Sequence, residues 1–285
     1  MARRLDTYLR TGDFSRLPQS PRLVRSQPLV RRPQEPNTPP DPGSRTTHCR
    51  EHSINQPQRE DTLNELQNYL VRHPLPACEP NEEFTTDFTP FLSLPGFFPG
   101  AGGFFHGHPP SSIKVLIFGT DFGPLWYQRD LDKTGGEPAS NPTIANLAKL
   151  LQAAGVPLAE CFMTNAVLCM WSSDNTVGNH QIWRKYPSYI EQCASWHQRF
   201  IEHMKPTGVV LMGAPALETT GKMLFPGLAQ HWEGMSKMEQ VYEAGREIYQ
   251  APNGPKVLLI PHTSYWHING RQLGAKAIDH LKNMA

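Results

Sequence analysis

Three polar residues, Asp121, Asn165 and His262, each lie at or just past the end of a short apolar run. A carboxylate in such a position can act as a general base for water, ligate a metal or cap a loop. A side-chain amide can present a donor and an acceptor to a nucleobase edge, or it can complete a backbone turn. A single histidine can take part in catalysis, although it is more often structural. Their meaning therefore depends on whether the fold brings them together.

The stretches that hold these residues share one pattern, in which apolar residues run into glycine or polar residues. Four such stretches occur, at residues 113–123, 161–168, 208–214 and 257–264. Short apolar runs bounded by turn-forming residues predict buried parallel strands, and glycines allow tight loops after them. In open α/β sheets, ligands bind beyond the carboxyl ends of the strands. We therefore expect one cleft to be lined by the residues at the four strand ends: Asp121, Asn165, Gly213 and His262.

Helices are predicted between the strands, where apolar residues recur at spacings of three and four. The clearest one begins at the cap Asn141, with Pro142 in its first turn, and ends before Gly155. Residues 124–140 are interpreted as a polar loop, and residues 228–254 stay unassigned. Further helices are predicted over residues 61–72, 186–204, 214–224 and 271–284. This alternation predicts an α/β fold, a three-layer sandwich with a central, mostly parallel four-stranded sheet.

The first sixty residues differ in composition from the rest of the chain. Residues 1–60 hold 11 arginines, no lysine, 6 acidic residues and 9 of the 28 prolines. Such a segment buries too little apolar surface to offset its ordering entropy, so we expect a disordered Arg/Pro-rich tail followed by one α/β domain over residues 61–285. That domain has 16 basic and 20 acidic residues and gives no electrostatic argument for nucleic acid. The tail is either a solubilising linker or a source of phosphate contacts.

The cysteines indicate the compartment. The chain has 5 of them, with no C-x-x-C pair, which argues against a disulfide framework, a zinc site or an iron–sulfur cluster. We therefore expect no metal and no cofactor, and an intracellular, reducing location that is cytoplasmic or nucleoid-associated. No apolar run approaches the roughly 18–20 residues that span a bilayer, so no membrane partner is expected. We expect a monomer.

Taken in order, the motifs at the strand ends resemble those of the uracil-DNA glycosylase superfamily. The motifs are Gly-x-Asp-x-Gly at 119–123, Thr-Asn-Ala-Val at 164–167, Leu-x-Gly-Ala at 211–214 and Pro-His-x-Ser at 261–264. The resemblance spans residues 113–269. It implies a base-excision repair enzyme that hydrolyses the N-glycosidic bond of uracil or a related damaged base in DNA. Such an enzyme flips the damaged or deaminated nucleotide out of the duplex.

The resemblance also implies roles for individual residues. Asp121 would position the hydrolytic water, and His262 would stabilise the departing base, so these two are the expected catalytic residues. Asn165 falls at the position of the residue that reads uracil. The expected substrate-binding residues are Gly119, Thr120, Phe122, Tyr127, Asn165 and Ser264. Contacts to DNA are expected from Arg271 and from Trp266, which stands where the family carries a wedge side chain.

The chain also departs from the family pattern. Gly123 stands where one branch has a tyrosine that excludes thymine, as in branches of broader base tolerance. Thr263 replaces a proline, which should loosen the last loop. The aromatic residue that stacks on the base stays open among Phe122, Trp126 and Tyr127.

Two alternative functions compete with the glycosylase. The first is a non-catalytic DNA- or protein-binding member of the same fold. The second is an unrelated hydrolase with Asp121 as nucleophile, but such a phosphatase would need a second acid where Gly123 stands.

Overall fold

The computed structural model describes residues 65–66, 68–77, 83–88, 112–134, 141–172, 185–213, 221–235, 237–263 and 266–284, with the backbone alone over 130–134 and 266–273. All of them belong to one compact unit, residues 52–285. The predicted tail, residues 1–60, lies outside the described residues, so its disorder and the domain boundary at residue 61 stay predictions.

Seven strands and seven helices are assigned in the described chain from residue 84 onward. The strands are β1 (Phe84–Thr85), β2 (Val115–Gly119), β3 (Cys161–Asn165), β4 (Met170–Trp171), β5 (Gly208–Met212), β6 (Ile248–Gln250) and β7 (Lys256–Ile260). The helices are α1 (Leu125–Thr134), α2 (Pro142–Ala153), α3 (Pro187–Met204), α4 (Lys222–Leu224), α5 (Pro226–His231), α6 (Met238–Glu243) and α7 (Trp266–Lys282). Residues 65–66 and 68–72 are also helical, and a 3-10 turn covers Leu158–Glu160. No helix in the described ranges is both long enough and apolar enough to cross a membrane.

The central sheet has five strands in the order β3-β2-β5-β7-β6. The first four are mutually parallel, and β6 runs antiparallel to β7 at the edge. A separate antiparallel pair joins β1 to β4. The mostly parallel α/β architecture is therefore as predicted, with one strand more than the four expected.

Two cores pack against the two faces of this sheet. Alternate residues of each strand point to opposite faces, so Leu116 and Phe118 join the core under α3, whereas Val115 and Ile117 join the core under α2 and α7. Each strand of the parallel set is almost fully buried, which is the pattern of a sheet covered by helices on both sides. The three-layer arrangement is confirmed.

Helix boundaries agree with the sequence prediction where capping chemistry is clear. The Asn141 side chain accepts a hydrogen bond from the Thr143 N–H at 2.9 Å, Pro142 occupies the first turn of α2, and Gly155 adopts φ +73° just beyond its end. The helix α3 begins at Pro187 and ends at Met204, as predicted. The last helix begins at Trp266, five residues earlier than residue 271.

The interpretation of residues 124–140 as a loop is wrong over Leu125–Thr134, which form α1. The sequence of this segment has no clear apolar stripe, and one of its buried residues is polar. Gln128 is buried, and its side-chain amide donates to the Phe122 carbonyl. Hydrophobic periodicity does not detect a helix that buries an amide.

The extra strand β6 was missed for a related reason. Its three residues are half-buried or exposed, so neither an apolar run nor an alternation marks them. They pair with β7 only at the sheet edge, where burial does not constrain the side chains.

Candidate active site

The carboxyl ends of four adjacent parallel strands meet at one edge of the sheet, which we call the carboxyl edge. Asn165 is the last residue of β3, Asp121 follows β2 by two positions, Gly213 follows β5 directly, and His262 follows β7 by two positions. Because β3, β2, β5 and β7 are neighbours in the sheet, these four residues lie side by side along its carboxyl edge, where ligands bind in such folds.

Asn165 is held directly beside the end of β2. It pairs with Gly119 in the parallel register, and only 8% of its surface is exposed. A Cβ atom on residue 119 would overlap the side-chain oxygen of Asn165, so the position requires glycine. Gly119 therefore makes the space in which the Asn165 amide packs against the β2 backbone.

The Asp121 carboxylate is fixed by two donors on one oxygen. The backbone N–H of Gly123 donates to Asp121 Oδ1 at 2.9 Å, and the indole Nε1–H of Trp171 donates to the same atom at 3.0 Å. Gly123 has φ +70°, a conformation that favours glycine. The Gly-x-Asp-x-Gly motif thus builds a tight turn around a half-buried acid.

The loop that carries Asp121 continues beside the chain that follows β3. Backbone hydrogen bonds join the two segments at four places beyond the sheet: Ala166 N–H to Gly119 O (2.9 Å), Val167 N–H to Thr120 O (2.9 Å), Phe122 N–H to Cys169 O (3.2 Å) and Trp171 N–H to Gly123 O (2.8 Å). The polar ends of β2 and β3 are therefore part of one hydrogen-bonded unit. Thr120 contributes its backbone to that unit.

The three aromatic candidates for base stacking differ in exposure. Phe122 is buried, and its ring meets Phe88 edge-on at 5.3 Å. Tyr127 is half-buried, and its hydroxyl accepts a hydrogen bond from Asn141 Nδ2 at 2.7 Å. Trp126 is 40% exposed and touches Tyr127 edge-on. Phe122 thus contributes to the core, whereas Trp126 and Tyr127 present aromatic surface beside the loop.

His262 lies in a loop that is anchored to α2 by its neighbour. Thr263 is fully buried, its hydroxyl donates to the Thr143 carbonyl at 2.8 Å, and its carbonyl accepts from Asn146 Nδ2 at 3.0 Å. The expectation that Thr263 loosens this loop is wrong, because its hydroxyl forms a tie that a proline cannot form. His262 itself is half-buried.

His197 on α3 lies beneath the Asn165 end of the site and was not predicted to do so. It is fully buried, and its ring meets Phe118 edge-on at 4.8 Å. Burial lowers the pKa of His197 to about 3, partly opposed by the nearby backbone of Ala166 and Asn165. Neither ring nitrogen makes a well-formed hydrogen bond to a described residue.

A sequence signal for His197 did exist. It continues the buried α3 stripe of Ile190, Ala194 and Ile201 at helical spacing. For Trp171 there was none, because its contact with Asp121 joins residues 50 positions apart through loop conformation alone.

Other predicted site residues lie partly or wholly outside the described residues. Ser264 and Ala214 are outside them, and Trp266 and Arg271 are described only as backbone within α7. Their roles stay predictions. Within the described ranges, no group of three His, Cys, Asp or Glu side chains could hold a metal ion.

A cleft of about 850 Å³ lies away from these residues, at the opposite edge of the sheet. Its wall includes Lys205 and Thr207 just before β5, and Pro255 just before β7. We call this the amino-edge cleft. Most of its wall is apolar, and it contains none of the predicted site residues.

Comparison with known proteins identifies the family of the chain. No curated protein matches the chain. The family model described as the Uracil DNA glycosylase superfamily matches residues 106–282, a range that contains all four strand-end motifs and the parallel sheet. The match covers more than half of the chain, and the chain therefore belongs to the uracil DNA glycosylase superfamily.

Proposed function

We propose that the protein is a DNA N-glycosylase that hydrolyses the bond between deoxyribose and uracil, or a related damaged base. The observation that carries this proposal is that the ends of two adjacent strands lie together. The fixed carboxylate of Asp121 follows β2, and the buried amide of Asn165 ends β3. A carboxylate can position the attacking water, and an amide on the adjacent strand can recognise the edge of the base. Superfamily membership supports a glycosylase activity in general.

In this mechanism Asp121 acts on the sugar side of the bond. Its carboxylate positions the attacking water and, as an anion, stabilises the positive charge that develops on the deoxyribose as the glycosidic bond breaks. The two donors on Oδ1 support this role, because they hold the orientation of the carboxylate before substrate arrives.

Asn165 and His262 act on the base side. The Asn165 amide can donate to and accept from the edge of a flipped pyrimidine. His262 donates a hydrogen bond to the base oxygen on which negative charge develops. Because that charge is largest in the transition state, the bond accelerates the chemical step more than it tightens substrate binding.

The test is release of uracil from single-stranded DNA and from duplex DNA with a U·G mismatch, measured under single-turnover conditions. Wild type should release the base, and Asp121→Asn should slow release by about two to four orders of magnitude while still binding uracil DNA. Asp279→Asn is the matched control, since Asp279 is an exposed carboxylate on α7 that pairs with Lys282. It should leave the rate unchanged.

The competing function gives a different result in the same assay. A non-catalytic member would bind DNA yet release no base from any damaged substrate, and Asp121→Asn would alter affinity alone. The glycine at position 123 and the threonine at position 263 are the departures from the family pattern that make this comparison necessary.

A further inference from the structure

Trp171, in strand β4, contacts the proposed catalytic acid Asp121, which lies 50 residues earlier in the chain. Its indole Nε1–H donates to Asp121 Oδ1 at 3.0 Å, and the tryptophan is only 4% exposed. A buried indole N–H needs an acceptor, and backbone carbonyls fill that role for two other buried tryptophans: Trp196, which donates to His73 O, and Trp232, which donates to Arg246 O. Trp171 differs from them because its acceptor is an ionisable side chain in the candidate site.

The backbone of Trp171 is held at several points. Its N–H donates to the Gly123 carbonyl at 2.8 Å, and it forms a bridge with Pro124. On its other side it pairs with Phe84 in the β1–β4 ribbon. The indole is therefore mounted on a strand that is bonded both to the Asp121 loop and to a segment far away in sequence.

The shared acceptor atom constrains the carboxylate. Two donors from different directions on Oδ1, one from Gly123 and one from Trp171, oppose rotation of the carboxyl group about its Cβ–Cγ bond. Fixing that rotation also fixes the direction in which Oδ2 points. The Gly123 donor belongs to the same turn as Asp121. The Trp171 donor belongs to the segment after β3, and it therefore holds the carboxylate in place relative to that segment.

We propose that Trp171 is a positioning residue whose indole N–H orients the Asp121 carboxylate toward its water. The assignment rests on the proposed function, since it names a residue that acts through Asp121. It also makes a physical claim that holds without turnover, namely that the indole is bonded to an ionised carboxylate.

The kinetic test removes the donor and keeps a ring. Trp171→Phe should lower the single-turnover rate of uracil release about tenfold to a hundredfold, the range expected for a lost hydrogen bond to a charged group, and should leave DNA affinity nearly unchanged. Trp232→Phe is the matched control, because it removes an equally buried indole N–H from a backbone carbonyl and should not alter the rate.

A double mutant separates positioning from general damage. If Trp171 acts through Asp121, Trp171→Phe should cost little further rate in an Asp121→Asn background. Equal losses in both backgrounds would overturn the proposal. So would a rate loss in Trp232→Phe that matches the one in Trp171→Phe.

A spectroscopic test needs neither catalysis nor a folded Trp171 variant. In ¹⁵N-labelled protein, Asp121→Asn should shift the indole Nε1–H resonance of Trp171 upfield, because a neutral amide is a weaker acceptor than a carboxylate. The Trp232 resonance should stay in place. An unmoved Trp171 resonance would overturn the inference whether or not the protein releases uracil. A wild-type protein that releases no base, with the Trp171 resonance still shifted, would instead reject the proposed function while the contact stands.

Discussion

The two edges of the central sheet differ in what they offer a ligand. The amino-edge cleft has a volume of about 850 Å³ and a wall of mainly apolar and proline side chains, with charged groups such as Glu202 and Lys205. The carboxyl edge instead carries Asp121, Asn165 and His262 on or after parallel strands, and the Asp121 carboxylate accepts hydrogen bonds from a backbone N–H and from an indole. The amino-edge cleft and the predicted site residues thus lie at opposite ends of the same strands.

Strand direction explains why the predicted site residues lie together at the carboxyl edge. Loops at the carboxyl ends emerge side by side from adjacent strands, so short polar motifs far apart in sequence converge there. The amino ends of β3 and β5 instead receive the chain after helices α2 and α3, and that of β7 receives it from the neighbouring strand β6. We expect substitutions at the carboxyl edge to change catalysis and equivalent ones at the amino edge to change stability alone.

The largest effect on folding stability is expected at acid pH, through His197. The pKa of His197 is about 3 in the folded protein, against an ordinary value of 6.5, so the unfolded chain binds one more proton between these pH values. The contribution of neutral His197 to the free energy of unfolding is therefore fully present above pH 6.5 and is lost as the pH falls toward 3, by roughly 1.4 kcal/mol per pH unit. Urea unfolding of wild type and His197→Leu from pH 7 to pH 4.5 checks this. The variant should have a shallower slope.

The control for that experiment lies on the same helix toward the amino edge. His203 is partly exposed and lies 3.4 Å from Glu65, and His203→Gln tests whether the change of slope is specific to the buried histidine. If the unfolding free energy of His197→Leu had the same pH dependence as that of wild type, His197 would bind its proton equally well in the folded and unfolded protein, which would contradict the lowered pKa.

A pair of glycines provides the next test. Ala at position 119 would displace the Asn165 amide, and Ala at position 227 would meet the Tyr249 hydroxyl in the amino-edge cleft. Gly119→Ala should slow uracil release about tenfold to a hundredfold, because the base-reading hydrogen bonds are misplaced. Gly227→Ala should change only the melting temperature. Comparable activity in both variants would contradict the assignment of Asn165.

The smallest expected effect concerns two threonines at opposite edges. Thr263→Val removes the hydroxyl bond to the Thr143 carbonyl, and Thr207→Val removes bonds to backbone carbonyls beside the amino ends. Each should cost about 1 kcal/mol of unfolding free energy. Only Thr263→Val should also slow base release, by a few-fold, because the loop of His262 loses its tie to α2. Single-turnover kinetics and urea unfolding measure the two effects separately.

The sequence predicted the parts of the molecule that depend on local pattern. Apolar runs located the parallel strands, and Asn141, Pro142 and Gly155 located the ends of α2, because capping and burial leave marks within a few residues. Interactions that depend on tertiary context left no such marks. The helix α1 buries the polar residue Gln128, so its sequence does not show an apolar pattern at that position. The contact of Trp171 with Asp121 joins two segments that are far apart in sequence.

One consequence concerns where this molecule can be divided. The ribbon strand β1, Phe84–Thr85, precedes the region that matches the superfamily, residues 106–282, yet it pairs with Trp171 and its neighbour. Phe88, also outside that region, packs on Phe122 next to the acid. A fragment cut at the family boundary would expose an unpaired strand edge and lose an aromatic contact beside Asp121. We therefore expect the smallest fragment that preserves the site geometry to begin before residue 84, upstream of the region that matches the superfamily.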